Sequence, residues 1–178
     1  MITQPKQSIN IAIENLKKIP GVDLADLCNI TEQAIKAGGG FGWVRVPSRD
    51  VLKKYWNELV LIKTKKLIVG RLNGAIAGTL LLSFSTPNNE AQRNIAKIQS
   101  HFVAPWARGY GLAKAMIDFT ENVSRENDTK CIQLDVRETQ EAAIKLFKTK
   151  GYKWWGENPH YAFVNGNFIK GIYFYKKI

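Results

Sequence analysis

One stretch constrains the fold more than any other, and it runs from Ile95 to Val123. It opens with the pattern of a buried strand from Ile95 to Val103. It then passes through Ala104-Pro105-Trp106-Ala107-Arg108-Gly109-Tyr110-Gly111, and the sequence predicts a helix from about Gly109 to Val123. Leu112, Met116, Phe119, Thr120 and Val123 form one apolar stripe at helical spacing. Two glycines, one arginine and no acidic residue stand where strand gives way to helix. The first N–H groups of a helix are unpaired and partly positive, and glycine lets an anion approach them closely because it has no Cβ. A diphosphate is the ligand such a turn suits.

The flanking segments alternate between strand and helix signals. Ile9, Ile11 and Ile13 recur at period two, the mark of a half-buried strand. A helix is expected from about Asp23 to Ala37, stopped by Gly38-Gly39-Gly40, a run that reads equally as a plain linker or as a loop touching substrate. Ser48 is placed to cap a second helix, whose Val51, Leu52, Tyr55, Trp56 and Leu59 keep helical spacing; Tyr55 and Trp56 read as core. Strands at Lys66–Leu72 and Ala75–Ser85 flank Asn73-Gly74, a strong signal for a type I′ hairpin turn. After the central stretch come a strand at Cys131–Val136, a helix to about Thr149 that Thr139 could cap and Gly151 stop, and a β-rich tail: Tyr152–Trp155, then Phe168-Ile169 and Ile172–Tyr175 around an Asn165-Gly166 turn. A hairpin that feeds a strand–helix–strand unit gives a mixed α/β sheet with helices on both faces.

Composition narrows the partners. The chain has 178 residues, enough for one domain over residues 1–178 with a real core, and its net charge of +11 favours anionic ligands without choosing among them. The basic residues are spread along the chain, and no nucleic-acid motif accompanies them. Cys28 and Cys131 each stand alone in an apolar segment, as reduced buried thiols would in a cytoplasmic protein, and no Cys/His cluster suggests a metal. The start of the chain, Met1 to Lys18, is polar with no signal-like apolar core, and no apolar run is long enough to span a membrane.

Three motifs carry a family resemblance. Phe102-Val103-Ala104-Pro105 ends the central strand, Arg108-Gly109-Tyr110-Gly111-Leu112-Ala113 forms an Arg-x-x-Gly-x-Ala loop, and Leu134-Asp135-Val136-Arg137 with Ala143 to Tyr152 forms a later strand and helix ending in Gly-Tyr. In this order and context they resemble the GNAT superfamily of acetyl-CoA-dependent N-acetyltransferases. The segments Gly38–Pro47, Ser48-Arg49-Asp50 and Gly156–Ala162, with Tyr173–Lys176, look like the branch containing the tabtoxin-resistance acetyltransferase.

The resemblance implies a mostly antiparallel sheet of six to seven strands and direct acetyl transfer from acetyl-CoA to a primary amine. A small-molecule acceptor is the first expectation, with a protein N-terminus or lysine as the alternative and a non-catalytic coenzyme- or nucleic-acid-binding module as a third. It implies that the backbone from Arg108 through Gly109, Tyr110, Gly111 and Leu112 to Ala113 binds the pyrophosphate. Val103 would pair with the pantetheine arm, a backbone N–H near Phe102 or Val103 would polarise the thioester carbonyl, and Gln140 and Phe147 would lie beside the coenzyme. The chain departs from the pattern at two places. Phe147 stands where the family often has a tyrosine acid, and Lys97 stands near where some relatives have a glutamate base. Tyr161, His101 and Glu138 are the remaining candidates for proton transfer. Tyr161 is the preferred donor or substrate contact; His101 reads also as a core residue and Glu138 as a solvated carboxylate. Asp135 reads as structural, and Trp154 and Trp155 as either pocket wall or core.

Overall fold

The computed structural model describes residues 9–39 and 42–178. Gly40, the last of the three glycines, and the stretch before Ile9 lie outside them. A seven-stranded sheet has the order β1-β2-β3-β4-β5-β7-β6. Its strands are β1 (Ile11–Leu16), β2 (Lys65–Leu72), β3 (Ala75–Phe84), β4 (Ile95–Val103), β5 (Cys131–Arg137), β6 (Lys153–Val164) and β7 (Asn167–Lys177). The helices are α1 (Gly21–Lys36), α2 (Arg49–Leu59), α3 (Leu112–Glu126) and α4 (Glu141–Thr149). Every strand pair is antiparallel except β4–β5. That mixed, mostly antiparallel sheet is the one the family resemblance implied.

Alternation along β2 and β3 divides the core between two faces. Leu67, Val69, Ala77 and Leu81 pack with Leu27, Ile30, Leu52 and Trp56 of α1 and α2. Ile68, Leu80 and Leu82 pack with Met116 and Ile117 of α3 and Phe147 of α4. Period-two side chains thus reach opposite layers, as a sheet covered by helices on both faces requires. Trp56 is fully buried, and its indole N–H donates to Thr31 Oγ1 at 3.2 Å, which satisfies the one polar atom it carries into the core.

The local signals explain most element ends. Ser48 Oγ accepts from Val51 N–H at the start of α2. Asn73-Gly74 and Asn165-Gly166 both have positive φ at the two turn positions. At the end of α1, Gly38 takes φ +72°, its N–H reaches Ile35 O at 3.0 Å, and Gly39 N–H reaches Ala34 O at 2.7 Å. Gly151 and Tyr152 close α4 in the same way, with bonds to Lys148 O and Phe147 O.

Three expectations need correction. The central helix begins at Leu112 rather than Gly109, because Gly109 and Gly111 adopt φ +87° and +80°, which no right-handed helix uses. Gln140, not Thr139, precedes α4, and its side chain makes no cap bond to the helix. The tail from Tyr152 to Val164 is not a short strand and a loop: β6 runs unbroken over twelve residues. Register shifts at Trp154/Gly156 and Asn158/Ala162 keep it on β7, and these bulges disguise its periodicity.

Two glycines set the depth at which α3 docks. A Cβ on Gly70 would lie 2.8 Å from Leu112 Cδ1, and one on Gly78 2.9 Å from Met116 Cε. The helix therefore rests directly on the backbones of β2 and β3, and its N-terminus is held beside the end of β4.

Candidate active site

The parallel pairing of β4 with β5 is brief. It starts at Ile95–Cys131 and ends at Ile98–Leu134. β4 then stays with β3, while β5 follows β7 as far as Arg137–Gly171. The sheet splits along this line. A bulge on β4 sharpens the split: Thr79 pairs with Phe102 and Leu81 with Gln99, so Leu80 faces two residues, Ser100 and His101. Ser100 takes φ +48°, and its carbonyl accepts from the hydroxyl of fully buried Thr79 at 3.0 Å.

Beyond the bulge the strand presents one free edge to the gap. Ala104 N–H donates to Ala77 O at 2.8 Å. Backbone groups alternate sides in an antiparallel pair, so those of Phe102 and Ala104 turn toward β3 and those of Val103 turn away from it. β5 has already diverged, and the Val103 N–H and C=O open into the split. Of the two strand-end donors expected from the sequence, Val103 faces the gap and Phe102 does not.

The mouth of the gap lies at the start of α3. Gly111 is the N-cap residue, no side chain caps the helix, and its first turn holds no acidic residue. The first bond from this turn to the loop is Ala115 N–H to Gly111 O, and among the described residues the N–H groups of Gly109, Tyr110, Gly111, Leu112 and Ala113 meet no protein acceptor. A Cβ on Gly109 or Gly111 would meet nothing within 4 Å, so open space lies over this backbone. Arg108 and Tyr110 are exposed beside it, while Leu112 is buried and anchors the turn. Donors without acceptors, positive helix potential and a flanking arginine fit a pyrophosphate.

Inside the split is a cavity of about 160 Å³. Ile98, Leu134, Val136, Ala143 and Phe147 form its apolar side; Gln99, Asp135, Arg137, Gln140 and Tyr161 form its polar side. Gln140 Nε2 donates to Gly38 O at 2.8 Å, which ties the start of α4 to the glycine loop after α1. Gly42 reaches the cavity from the far side of that loop. Phe147 is buried and stands edge-on to His101, with ring centroids 5.6 Å apart.

His101 has an unusual setting. Its Nε2 is shut off from solvent and has no hydrogen-bond partner among the described residues. Burial alone pushes its pKa down to about 4, so the ring is neutral at physiological pH. A base that weak takes little proton from an amine near neutrality, and the arrangement makes His101 a neutral wall.

Tyr161 lies in the second β6 bulge. Its hydroxyl donates to Asp135 Oδ2. Burial first, and then this bond to a carboxylate, raise the hydroxyl pKa above its ordinary value. Its ring packs over Gly171, where any Cβ would collide with it. That contact is why position 171 needs a glycine without needing positive φ.

The remaining sequence candidates fall elsewhere. Glu138 does not line the cavity; its carboxylate accepts from Lys170 N–H at 3.0 Å and its own N–H donates to Lys170 O, sealing the β5–β7 edge. Lys97 is exposed and faces a separate groove beside Phe84. Trp154 and Trp155 are neither core nor cavity wall, at 47% and 61% exposure. Asp135, by contrast, is a cavity residue that sequence reading treated as structural. The signal was present: Ile132, Leu134 and Val136 are the buried face of β5, so Asp135 belongs to the opposite one.

Comparison with known proteins agrees with this geometry. The model of the acetyltransferase (GNAT) family matches residues 33–152. An uncharacterized N-acetyltransferase in the hisH-hisA intergenic region of Azospirillum brasilense is 42% identical over 131 residues, 74% of this chain and 78% of that protein. The fold is similar to ribosomal-protein-alanine N-acetyltransferase from Brucella melitensis (TM-score 0.79, 17% identity, covering 94% of this chain and 99% of that one). It is also similar to a GNAT superfamily phosphinothricin acetyltransferase from Sinorhizobium meliloti, solved in complex with acetyl-CoA (TM-score 0.78, 16% identity, 94% and 88%). With its sheet split between β4 and β5 and its open helix mouth, the chain belongs to the acetyltransferase (GNAT) family.

Proposed function

We propose that this acetyltransferase uses acetyl-CoA to acetylate the primary amine of a small molecule, as a single domain over residues 1–178, in the cytoplasm. The observation that carries the reading is the order of three features along the end of β4 and the turn after it: a cavity at Ile98–His101, the open Val103 edge, and the unpaired N–H groups at Gly109–Ala113. Acetyl-CoA, when bound, supplies an activated acetyl group on a thiolate that leaves readily. The backbone N–H groups from Gly109 to Ala113 would hold its pyrophosphate, with Arg108 adding charge at the rim. The Val103 C=O, turned into the split, would accept from an amide-bearing arm. A backbone N–H aimed at a developing oxyanion is worth about 2.7–4 kcal/mol in acyl transfer, and the Val103 N–H, rather than that of Phe102, would take that role. Phe147, Leu134 and Val136 exclude water from the reacting end.

The bond from Gln140 to Gly38 narrows one side of the cavity, which favours a small acceptor. The test is thiol release from acetyl-CoA against a panel of free amines, peptides with free N-termini and lysine peptides. Saturable release with free amines alone is expected. Preferential turnover of a peptide would replace the small-molecule acceptor by a protein one.

A further inference from the structure

Neither proton-transfer position the family most often uses is filled here, and the cavity offers its own substitute. Asp135 is the one carboxylate among the described residues that line it. Its strand neighbours Leu134 and Val136 turn to the core, and Asp135 is exposed on the opposite, polar side. One of its oxygens, Oδ2, accepts the Tyr161 hydroxyl proton. The other, Oδ1, has no hydrogen-bond partner among the described residues and lies at the wall where an acceptor would enter. The Tyr161 hydroxyl is committed to this bond, so its proton is a poor source for a leaving thiolate.

We infer that Asp135 is a catalytic residue for amine transfer and that Tyr161 is its positioning residue. The inference rests on the amine-acetylation reading above. Asp135 Oδ1 accepts a hydrogen bond from the neutral acceptor amine and orients its lone pair toward the thioester carbonyl. As the C–N bond forms, the nitrogen becomes cationic and its N–H far more acidic. Asp135 takes that proton, the C–S bond breaks, and the thiolate leaves with the electron pair. The proton then passes from Asp135 through solvent to the thiolate, so amine and thioester give amide and thiol with nothing else consumed. A carboxylate suits this task, because it accepts a hydrogen bond from the neutral amine and meets its proton only when the nitrogen is charged. The Tyr161 bond fixes the carboxylate plane, and the ring's seat over Gly171 fixes Tyr161. Besides Asp135 and Tyr161, the cavity wall carries two groups that can hold a proton: the cationic Arg137, and His101, which is neutral and faces Phe147.

The experiment uses the full chain and the best amine from the wild-type panel. Asp135→Asn keeps the shape and an acceptor for the Tyr161 hydroxyl, and removes the proton-accepting charge. Its kcat should fall about 10²-fold, the usual weight of a positioned base, while the amine KM moves less than fivefold. Asp135→Ala should be as slow, and added formate should restore its rate at least tenfold by filling the vacated place. Tyr161→Phe should lower kcat by three- to tenfold and leave the formate effect absent. A loss in Asp135→Asn below tenfold overturns the inference, and so does an Asp135→Ala rate that formate does not raise. Should Asp135→Asn fail to fold, the Ala variant with formate decides alone; should both fail, the carboxylate is structural and the inference falls. If the wild-type protein turns over no amine at all, it is the amine reading itself that fails.

Discussion

The two ends of the split in the sheet are built from different materials. At the α3 mouth the working groups are backbone N–H groups, exposed by glycines whose special property is a positive φ and open space. At the β5–β6 wall the working groups are side chains, and Gly171 matters because the Tyr161 ring occupies its Cβ position. A backbone site offers little to vary: any change of side chain leaves the N–H groups where they are unless the chain path changes. A side-chain site can be rebuilt residue by residue. The first suits a ligand shared across a family, and the second an acceptor that differs between members.

The strongest way to break this comparison is to alter the chain path at the mouth. Gly111→Glu forces a side chain into φ +80°, which costs about 1–2 kcal/mol, and sets a negative charge against the bound anion. Acetyl-CoA affinity measured by calorimetry should fall at least thirtyfold. An unchanged dissociation constant would show that the coenzyme does not use the Gly109–Ala113 backbone.

The wall makes the complementary prediction. In Gly171→Ala the new methyl displaces the Tyr161 ring, at a cost of about 1–3 kcal/mol for overpacking. Chemical denaturation should show that loss, amine turnover should drop with it, and the acetyl-CoA dissociation constant should stay within twofold of wild type. A coenzyme affinity that fell in parallel would mean that the two ends are coupled and the division is false.

Between them stands His101, and its effect is read in stability rather than in binding. Burial lowers its pKa from the ordinary 6.5 to about 4. From pH 6.5 down to 4 the unfolded chain therefore binds a proton that the folded chain refuses. Folding stability is intact above pH 6.5, falls across this window and levels off below it. The difference is on the order of 2 kcal/mol after allowance for partial exposure of the ring. Urea titrations at pH 7 and pH 4.5 should show it, and His101→Leu should flatten the slope. An equal slope in the variant would place the acid sensitivity elsewhere.

The contrast also explains what could be read from the chain. The mouth was legible because its glycines, its arginine and its strand-to-helix context are all local, within a dozen residues of one another. Hairpin turns at Asn73-Gly74 and Asn165-Gly166 were legible for the same reason. The wall was not, because its parts meet only through pairing: Asp135 bonds to a tyrosine 26 positions away, and Gln140 to a carbonyl 102 positions away. Glu138 and Asp135 are three residues apart and both carry a carboxylate. Alternation along β5 sets Asp135 opposite the buried face, and the pairing with β7 decides that this face meets the cavity while Glu138, past the strand end, meets Lys170 N–H. The bulges at Ser100 and at Asn158–Ala162 break period two, so alternation misleads where the site is made.

The smallest expected effect sharpens the comparison most. Arg108 is the charged side chain that the motif contributes to the mouth, and it is exposed. If the mouth works through its backbone, Arg108 contributes what an exposed ion pair contributes, about 0.2–1 kcal/mol. Arg108→Ala should weaken acetyl-CoA binding no more than about fivefold at low salt, and the difference from wild type should shrink as ionic strength rises and screens the charge. The Gly111→Glu loss contains a conformational part that salt cannot screen, so it should persist. An Arg108→Ala loss as large as that of Gly111→Glu, and equally insensitive to salt, would make the arginine the true anchor, and the mouth would then be a side-chain site like the wall.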